Sequence, residues 1–309
     1  MKEFELISRL TRSLHTNPSV VVGAGDDCAV IDLGIPDRLL LFKTDAVVQG
    51  VHFDSAAPPE KVGHKAIARC LSDIAAMAGT PTAALITLAL PDPFDPEYVD
   101  RIYRGLNATA SKYDVAIAGG ETTTNPERLL ISISLLGWAS RGKAISRSGA
   151  QAGDALFVSG HLGGSIGAKH LEFEPRLEEA RWLADHFKIH AMIDLSDGLA
   201  GDLKHLLRQG LGAELLASAI PISREARRAA KVSNTAKTGL IAALTDGEDF
   251  ELLFALAGRD AVSLLDSWKA RFPKIPLHCI GKITSSPGIQ IRDRHGLRPL
   301  NLHGYEHFA

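Results

Sequence analysis

Acidic residues recur in this chain beside glycine, serine or threonine, directly after short apolar runs. The cases are Gly25-Asp26-Asp27, Thr44-Asp45, Gly120-Glu121-Thr122, Asp194-Leu195-Ser196-Asp197-Gly198 and Asp246-Gly247-Glu248-Asp249. Asp73, beside Ser72, interrupts an otherwise apolar helical pattern. Carboxylates gathered in one place repel one another and neutralise unless cations sit among them. Mg²⁺ suits such a set, because it takes oxygen ligands and is commonly held by a few carboxylates together with substrate phosphates. The neighbouring glycines let backbone N–H groups approach phosphate oxygens, and the hydroxyls can join in. Any one of these fragments alone reads equally well as a loop turn, since Asp and Gly are common turn residues. It is the recurrence that points to a Mg²⁺–phosphate site. No GxxxxGK[ST] loop occurs; Gly160-His161-Leu162-Gly163-Gly164 lacks the Lys-Ser/Thr that would follow.

The elements that must carry these residues read as alternating strands and helices. Apolar periodicity predicts helices over 3–14, 65–77, 96–113, 177–187, 224–232 and 261–268. A helix is also expected to follow the Gly-rich turn at 160–164 as far as residue 171, and another behind the motif at 194–198. Strands are expected over 29–32, 39–42, 83–90, 115–118, 129–138, 155–159, 191–193, 251–257 and 277–283, several of them ending at the acidic fragments. Strand ends of that kind form the ligand crevice in open α/β sheets. The stretch 139–154 is poor in apolar residues and marks a domain boundary, giving an N-terminal domain over 1–138 and a C-terminal domain over 139–309.

Composition limits the partners. The 309 residues carry 34 Lys+Arg against 36 Asp+Glu, a net charge of −2, with 45% hydrophobic and 23% charged residues. That supports a packed core and argues against nucleic-acid binding, which needs a basic excess. The opening segment has no apolar core of a signal peptide, and no run approaches a membrane span. Three cysteines, with no CxxC pair, form neither a disulfide framework nor a zinc motif, so a reduced, cytoplasmic protein is expected.

At the acidic fragments the sequence resembles the thiamine-monophosphate kinase family, of the superfamily that includes aminoimidazole ribonucleotide synthetase. The matching stretches are GAGDDCAV (23–30), KTDAVVQGVHF (43–53), KAIARCLSDIAAMAGTP (65–81), IAGGETT (117–123), GKAISRSGAQAGD (142–154), IDLSDGLAGDLKHL (193–206), DGEDFELLF (246–254) and GYEHF (304–308). The resemblance implies an α/β (α+β) fold of two domains, the first contributing strands to a homodimer interface and binding ATP and Mg²⁺, the second completing the active site. It implies transfer of the γ-phosphoryl of ATP directly to thiamine monophosphate. Position by position, Asp27, Thr44, Asp45, Asp73, Glu121, Asp194 and Asp197 resemble metal ligands. Tyr103, Gly120, Glu121, Arg147 and Ser196 fall at ATP-contacting positions, and His52, Glu248 and Tyr305 at positions that hold the thiamine moiety. No catalytic base is implied, because an acceptor phosphate is largely ionised near neutral pH.

Four departures from the family pattern stand out. Lys43 replaces a small polar residue beside a metal ligand, where it either repels Mg²⁺ or supplies part of its charge. Glu121 stands where Asp is usual, Asp246 adds a carboxylate to the 245–249 run, and the segment 164–176 is short. They leave open a different ATP-dependent enzyme of the superfamily, or a dimeric paralogue without turnover.

Overall fold

The computed structural model describes residues 3–167, 169–232 and 237–307. In chain order the first half contains α1 (Glu3–Thr11), β1 (Val20–Val22), β2 (Ala29–Ile31), β3 (Arg38–Val48), α2 (Pro59–Ala76), β4 (Thr80–Leu90), α3 (Pro96–Lys112), β5 (Ala116–Thr124) and β6 (Leu130–Ser140). The second contains β7 (Asp154–Ser159), α4 (Leu177–His186), β8 (Ile189–Asp194), α5 (Leu199–Leu206), β9 (Gly212–Leu216), α6 (Arg224–Val232) and α7 (Gly239–Thr245). It closes with β10 (Leu252–Ala257), α8 (Ala261–Arg271), β11 (Leu277–Thr284), β12 (Gly288–Asp293) and β13 (Gly296–Pro299). The chain divides into two compact units. One comprises Ser19–Ala144 with Leu171–Leu177, the other Met1–Pro18, Ile145–His170 and Glu178–Ala309.

The first unit is a six-stranded sheet of order β1-β2-β3-β6-β4-β5, antiparallel except for the β4–β5 pair. β6 alternates buried and half-buried residues along almost its whole length, as expected of a sheet with one face against helices. α2 supplies that cover. Pro59 opens it, the position where a missing N–H costs nothing, and most of its residues are buried. α3 begins on Pro96 behind Asp95, whose side chain accepts from the Glu97 N–H.

Two strands run further than the apolar pattern indicates. β3 continues through Thr44 and Asp45 to Val48, paired with β6 at every residue, and β5 continues through Gly120 and Glu121 to Thr124. These acids therefore lie within strands, not beyond their carboxyl ends. Main-chain pairing continues whatever the side chains, so the polar residues could not end the strands as a reading of side chains alone supposes.

The second unit is a seven-stranded sheet of order β13-β12-β9-β11-β7-β10-β8, in which only β12 and β9 pair in parallel. β7 is buried at every position, and residues of β7, β8, β10 and α5 meet in a core built around Leu156, Ile193, Leu203 and Leu253. β8 ends on Asp194, as the apolar run predicts. The helix expected after the Gly-rich turn is a single 3-10 turn, Ser165–Gly167, followed by further turns at residues 169–172. Asp246 and Asp249 hold the N–H groups of Gly164 and Gly163, and Asp249 accepts from the Ser165 hydroxyl, so this loop is pinned before a helix can form. The 246–249 run follows helix α7, not a strand. Among the described residues no helix is long and apolar enough to cross a membrane. Phe308, at the end of the GYEHF match, lies outside the described residues.

Candidate active site

In the first unit, β3 and α2 bring carboxylates together. Successive strand residues point to opposite faces, so Lys43 and Asp45 share one face while Thr44 lies on the other, its hydroxyl accepting from Ser134 Oγ at 3.5 Å. Lys43 Nζ donates to Asp73 Oδ1 at 2.9 Å and lies 3.7 Å from Asp45 Oδ1. Arg69 precedes Asp73 by about one turn of α2, and its Nε lies 3.6 Å from Asp45 Oδ2. Asp27 and Asp73 are both buried, with carboxylate oxygens within 4.8 Å of each other. Burial works against the Lys43 ammonium, yet Asp73 and Asp45 outweigh it and hold its pKa well above the usual lysine value. Neighbouring Cys28 is buried and its thiol is pushed up, first by burial and then by Asp73, so it is an inert packing residue and not a nucleophile.

The other predicted residues of this unit lie in the turn after β3, on β5 and on α3. His52 follows β3. Its Nδ1 accepts from the Val48 N–H at 3.0 Å, so the ring proton of the neutral form is on Nε2, and its carbonyl accepts from Lys65 Nζ. Glu121 is exposed on β5, an edge strand, opposite Thr87 of β4. Gly120 stands so close to β4 that an added Cβ would meet the Ile86 carbonyl oxygen at 1.8 Å; strand packing by itself requires glycine there. Tyr103 lies on α3, which meets α2 where Gly63 faces Ile102 and Gly105 faces Glu60. Asp73 is ten residues beyond Gly63, roughly 15 Å along the helix axis.

In the second unit the expected residues gather around the loop that leaves β8. Asp194 is buried at the strand end, and Ser196 and Asp197 follow it into α5. Gly198 makes that turn with φ of 100°, and an added Cβ would lie 2.7 Å from the Asp246 carbonyl oxygen. The 246–251 segment pairs with this loop: the Glu248 N–H donates to the Ser196 carbonyl at 2.7 Å and the Phe250 N–H to the Leu195 carbonyl at 2.8 Å. Both Glu248 and Phe250 have left-handed backbones, with φ of 65° and 50°. A non-glycine residue held there costs on the order of 1–3 kcal/mol, a strain characteristic of functional sites. The Tyr305 N–H donates to the Asp197 carbonyl at 2.8 Å, which ties the tail to the same loop with the ring half exposed. Arg147 lies near His205. Burial first, then Arg147 and Lys204, lowers the His205 pKa to about 4, leaving it neutral at physiological pH.

Residues that the sequence pattern did not single out complete these sites. His170 Nδ1 donates to Glu248 Oε2 at 3.1 Å, and Arg69 and Lys65 support Asp45 and His52. Arg69 was legible as a cation one helical turn before Asp73; His170 carried no signal, because its loop is irregular. The additional carboxylate of Asp246 is held by the Gly164 N–H at 2.8 Å and by Lys237 Nζ at 2.5 Å, an arrangement that shapes the loop.

Asp249 gives this segment a pH dependence. Burial raises its pKa to about 6, against Lys169, Ser165 and the Gly163 N–H, which lower it. A carboxyl with a raised folded-state pKa contributes its full stability below the unfolded value, about 3.9, and loses it as the pH rises through about 6. A shift of this size corresponds to roughly 3 kcal/mol. Asp249→Asn should lack that loss, so its stability relative to wild type should rise by about that amount between pH 4 and pH 7.5 in urea unfolding. A constant difference between the two proteins would contradict the assignment.

Residues 25–139 match the model of AIR synthase related protein, N-terminal domain, and residues 141–293 that of its C-terminal domain. Thiamine-monophosphate kinase of Rhodopirellula baltica is 42% identical over 281 residues, covering 88% of this chain and 86% of the relative. The Haemophilus influenzae enzyme of the same name is 33% identical, covering 100% and 98%. Among solved structures, AaThiL complexed with AMPPCP and TMP superposes with a TM-score of 0.83 at 30% identity, covering 99% of this chain and 97% of the other. Crystal structures of the hydrogenase maturation protein HypE, at 18–20% identity, share the fold.

Proposed function

The chain belongs to the thiamine-monophosphate kinase family of AIR synthase related proteins, and from that premise we propose how its residues perform the reaction. The protein phosphorylates thiamine monophosphate with ATP. The likeness to a complex containing both AMPPCP and TMP carries this conclusion, since the two ligands stand for donor and acceptor.

The donor set fits Mg²⁺: buried Asp27 and Asp73 have oxygens within 4.8 Å of each other, a separation that leaves two anions repelling unless a hard cation joins them. In our reading Asp27, Asp45 and Asp73 of the first unit hold Mg²⁺, with Glu121 and the main chain of Thr44 as further oxygen donors. Within the second unit, Asp194 and Asp197 are the metal ligands that the family resemblance implies. When bound, the ions neutralise charge on the two polyanions that must meet. The chain's own task is alignment. Arg147 clamps an ATP phosphate, Gly120 and Ser196 admit the nucleotide, and Tyr103 lines its outer end. Glu248 pairs with the thiazolium cation, the Tyr305 ring offers its face to it, and His52 donates through Nε2–H. The acceptor phosphate attacks without a protein base.

The purified chain, given ATP, Mg²⁺ and thiamine monophosphate, should form thiamine diphosphate and ADP in equal amounts, and chelation should stop the reaction. ATP consumption only with another acceptor would favour a sister enzyme, and no turnover with any acceptor a non-catalytic paralogue.

We also assign the chain to the cytoplasm, consistent with three free cysteines, and to a homodimer. Phe42 and Leu85, 42% and 51% exposed on the six-stranded sheet, together with its open β5 edge, are apolar and hydrogen-bonding surface suited to a second copy. Light scattering should give twice the mass of one chain; the mass of a single chain would exclude the dimer.

A further inference from the structure

Lys43 sits where the carboxylate cluster most needs positive charge. β3 presents Lys43 and Asp45 on one face, and α2 brings Asp73 to the same place. The ammonium stands 2.9 Å from Asp73 Oδ1 and 3.7 Å from Asp45 Oδ1, between a carboxylate from a strand and one from a helix. A cation linking those two residues would have to occupy that same space. With Lys43 only 20% exposed and Asp73 10%, the pair is largely removed from solvent, where charge is poorly screened. A divalent ion added at this point would lie against an ammonium, and like charges at such range repel strongly.

We propose that Lys43 is a tethered cation that takes the place of one divalent ion between Asp45 and Asp73. The chain therefore builds its site with one metal ion fewer than it would with a small neutral residue at position 43. Asp73 keeps a part in binding through its proximity to Asp27, with oxygens within 4.8 Å, while Lys43 engages its Oδ1. The exchange has a chemical logic. An ammonium carries one charge where Mg²⁺ carries two, but it is permanently present and needs no recruitment from solution, whereas Mg²⁺ must shed part of its water shell to bind. Its three donors can satisfy both carboxylates and still orient a phosphate oxygen. Arg69, 3.6 Å from Asp45 Oδ2, adds a second fixed charge and makes Asp45 the acid of this cluster most fully served by the protein itself.

The inference rests on the reading that these carboxylates hold Mg²⁺, and counting bound metal separates the two. Mn²⁺ is titrated into wild type, Lys43→Ser and Lys43→Ala in the presence of saturating AMPPCP, against a protein-free titration that gives the Mn²⁺ held by the nucleotide alone. Free Mn²⁺ is followed by its electron paramagnetic resonance signal, and circular dichroism establishes that each protein is folded. Both variants should bind one more Mn²⁺ per chain than wild type. Equal numbers in all three, or fewer in the folded variants, would overturn the proposal while leaving the metal reading intact. No bound Mn²⁺ in any of them would overturn the metal reading itself and the proposal with it.

Discussion

Replacing Asp73 with Asn should lower kcat by roughly 10²–10³-fold, the loss typical of deleting one preorganised electrostatic contact to a transition state. The substitution keeps the shape of the side chain, and its amide oxygen can still accept from Lys43 Nζ, now 2.9 Å from Asp73 Oδ1. What disappears is a negative charge facing Asp27 across less than 4.8 Å. Folding should suffer less than activity: the lost charge of the Lys43 partner is offset in part by relief of the Asp27–Asp73 repulsion, and Asp45 still lies 3.7 Å from the ammonium. The Tm should therefore stay within a few degrees of wild type while kcat collapses. A wild-type kcat would refute the ligand role, and a collapse of both kcat and Tm would reduce Asp73 to a structural partner of Lys43.

Glu248→Gln should act on the acceptor instead. Thiamine is a permanent cation, and Glu248 is a largely buried carboxylate, 17% exposed, on a strained backbone held by the Ser196 carbonyl. Loss of a partly desolvated charge–charge contact is worth about 1.5–3 kcal/mol, or roughly 10- to 100-fold in affinity. The KM for thiamine monophosphate should rise by that factor, with the KM for ATP changing less than twofold. His170, which donates to Glu248 Oε2, can donate equally to the amide oxygen, so the loop should survive. An equal rise in both KM values would show that Glu248 shapes the whole site and does not select the acceptor.

Asp73 stood out by residue type as well as by resemblance, and the role of Glu248 by resemblance alone; the pattern was informative in proportion to how local its physics is. Helix α3 and strand β6 were readable because one periodic face meets the core, whereas α2, buried on nearly every side, was read only from Lys65 and begins at Pro59. The end of β8 at Asp194 was readable because a fully apolar run stops there. β3 and β5 were read short, since the pairing of Thr44 with Ser134 and of Gly120 with Ile86 depends on strands distant in sequence. β1, β9, β12, β13 and α7 were not foreseen. The 212–216 and 288–293 strands are short and pair with each other only after a long excursion, and α7 offers few polar residues to set a period. At the site, the acids were visible by composition. Which of them meet was not, and neither was the ion pair from Lys43 to Asp73, whose partners are 30 residues apart.

The central claim, that Asp27 and Asp73 hold the metal for phosphoryl transfer to thiamine monophosphate, is tested most directly by anomalous diffraction. Crystals would be grown with Mn²⁺, AMPPCP and thiamine monophosphate. A Mn²⁺ peak is expected at coordination distance from oxygens of both Asp27 and Asp73, contacting the phosphates. Bound nucleotide and acceptor with no peak on either aspartate would contradict it.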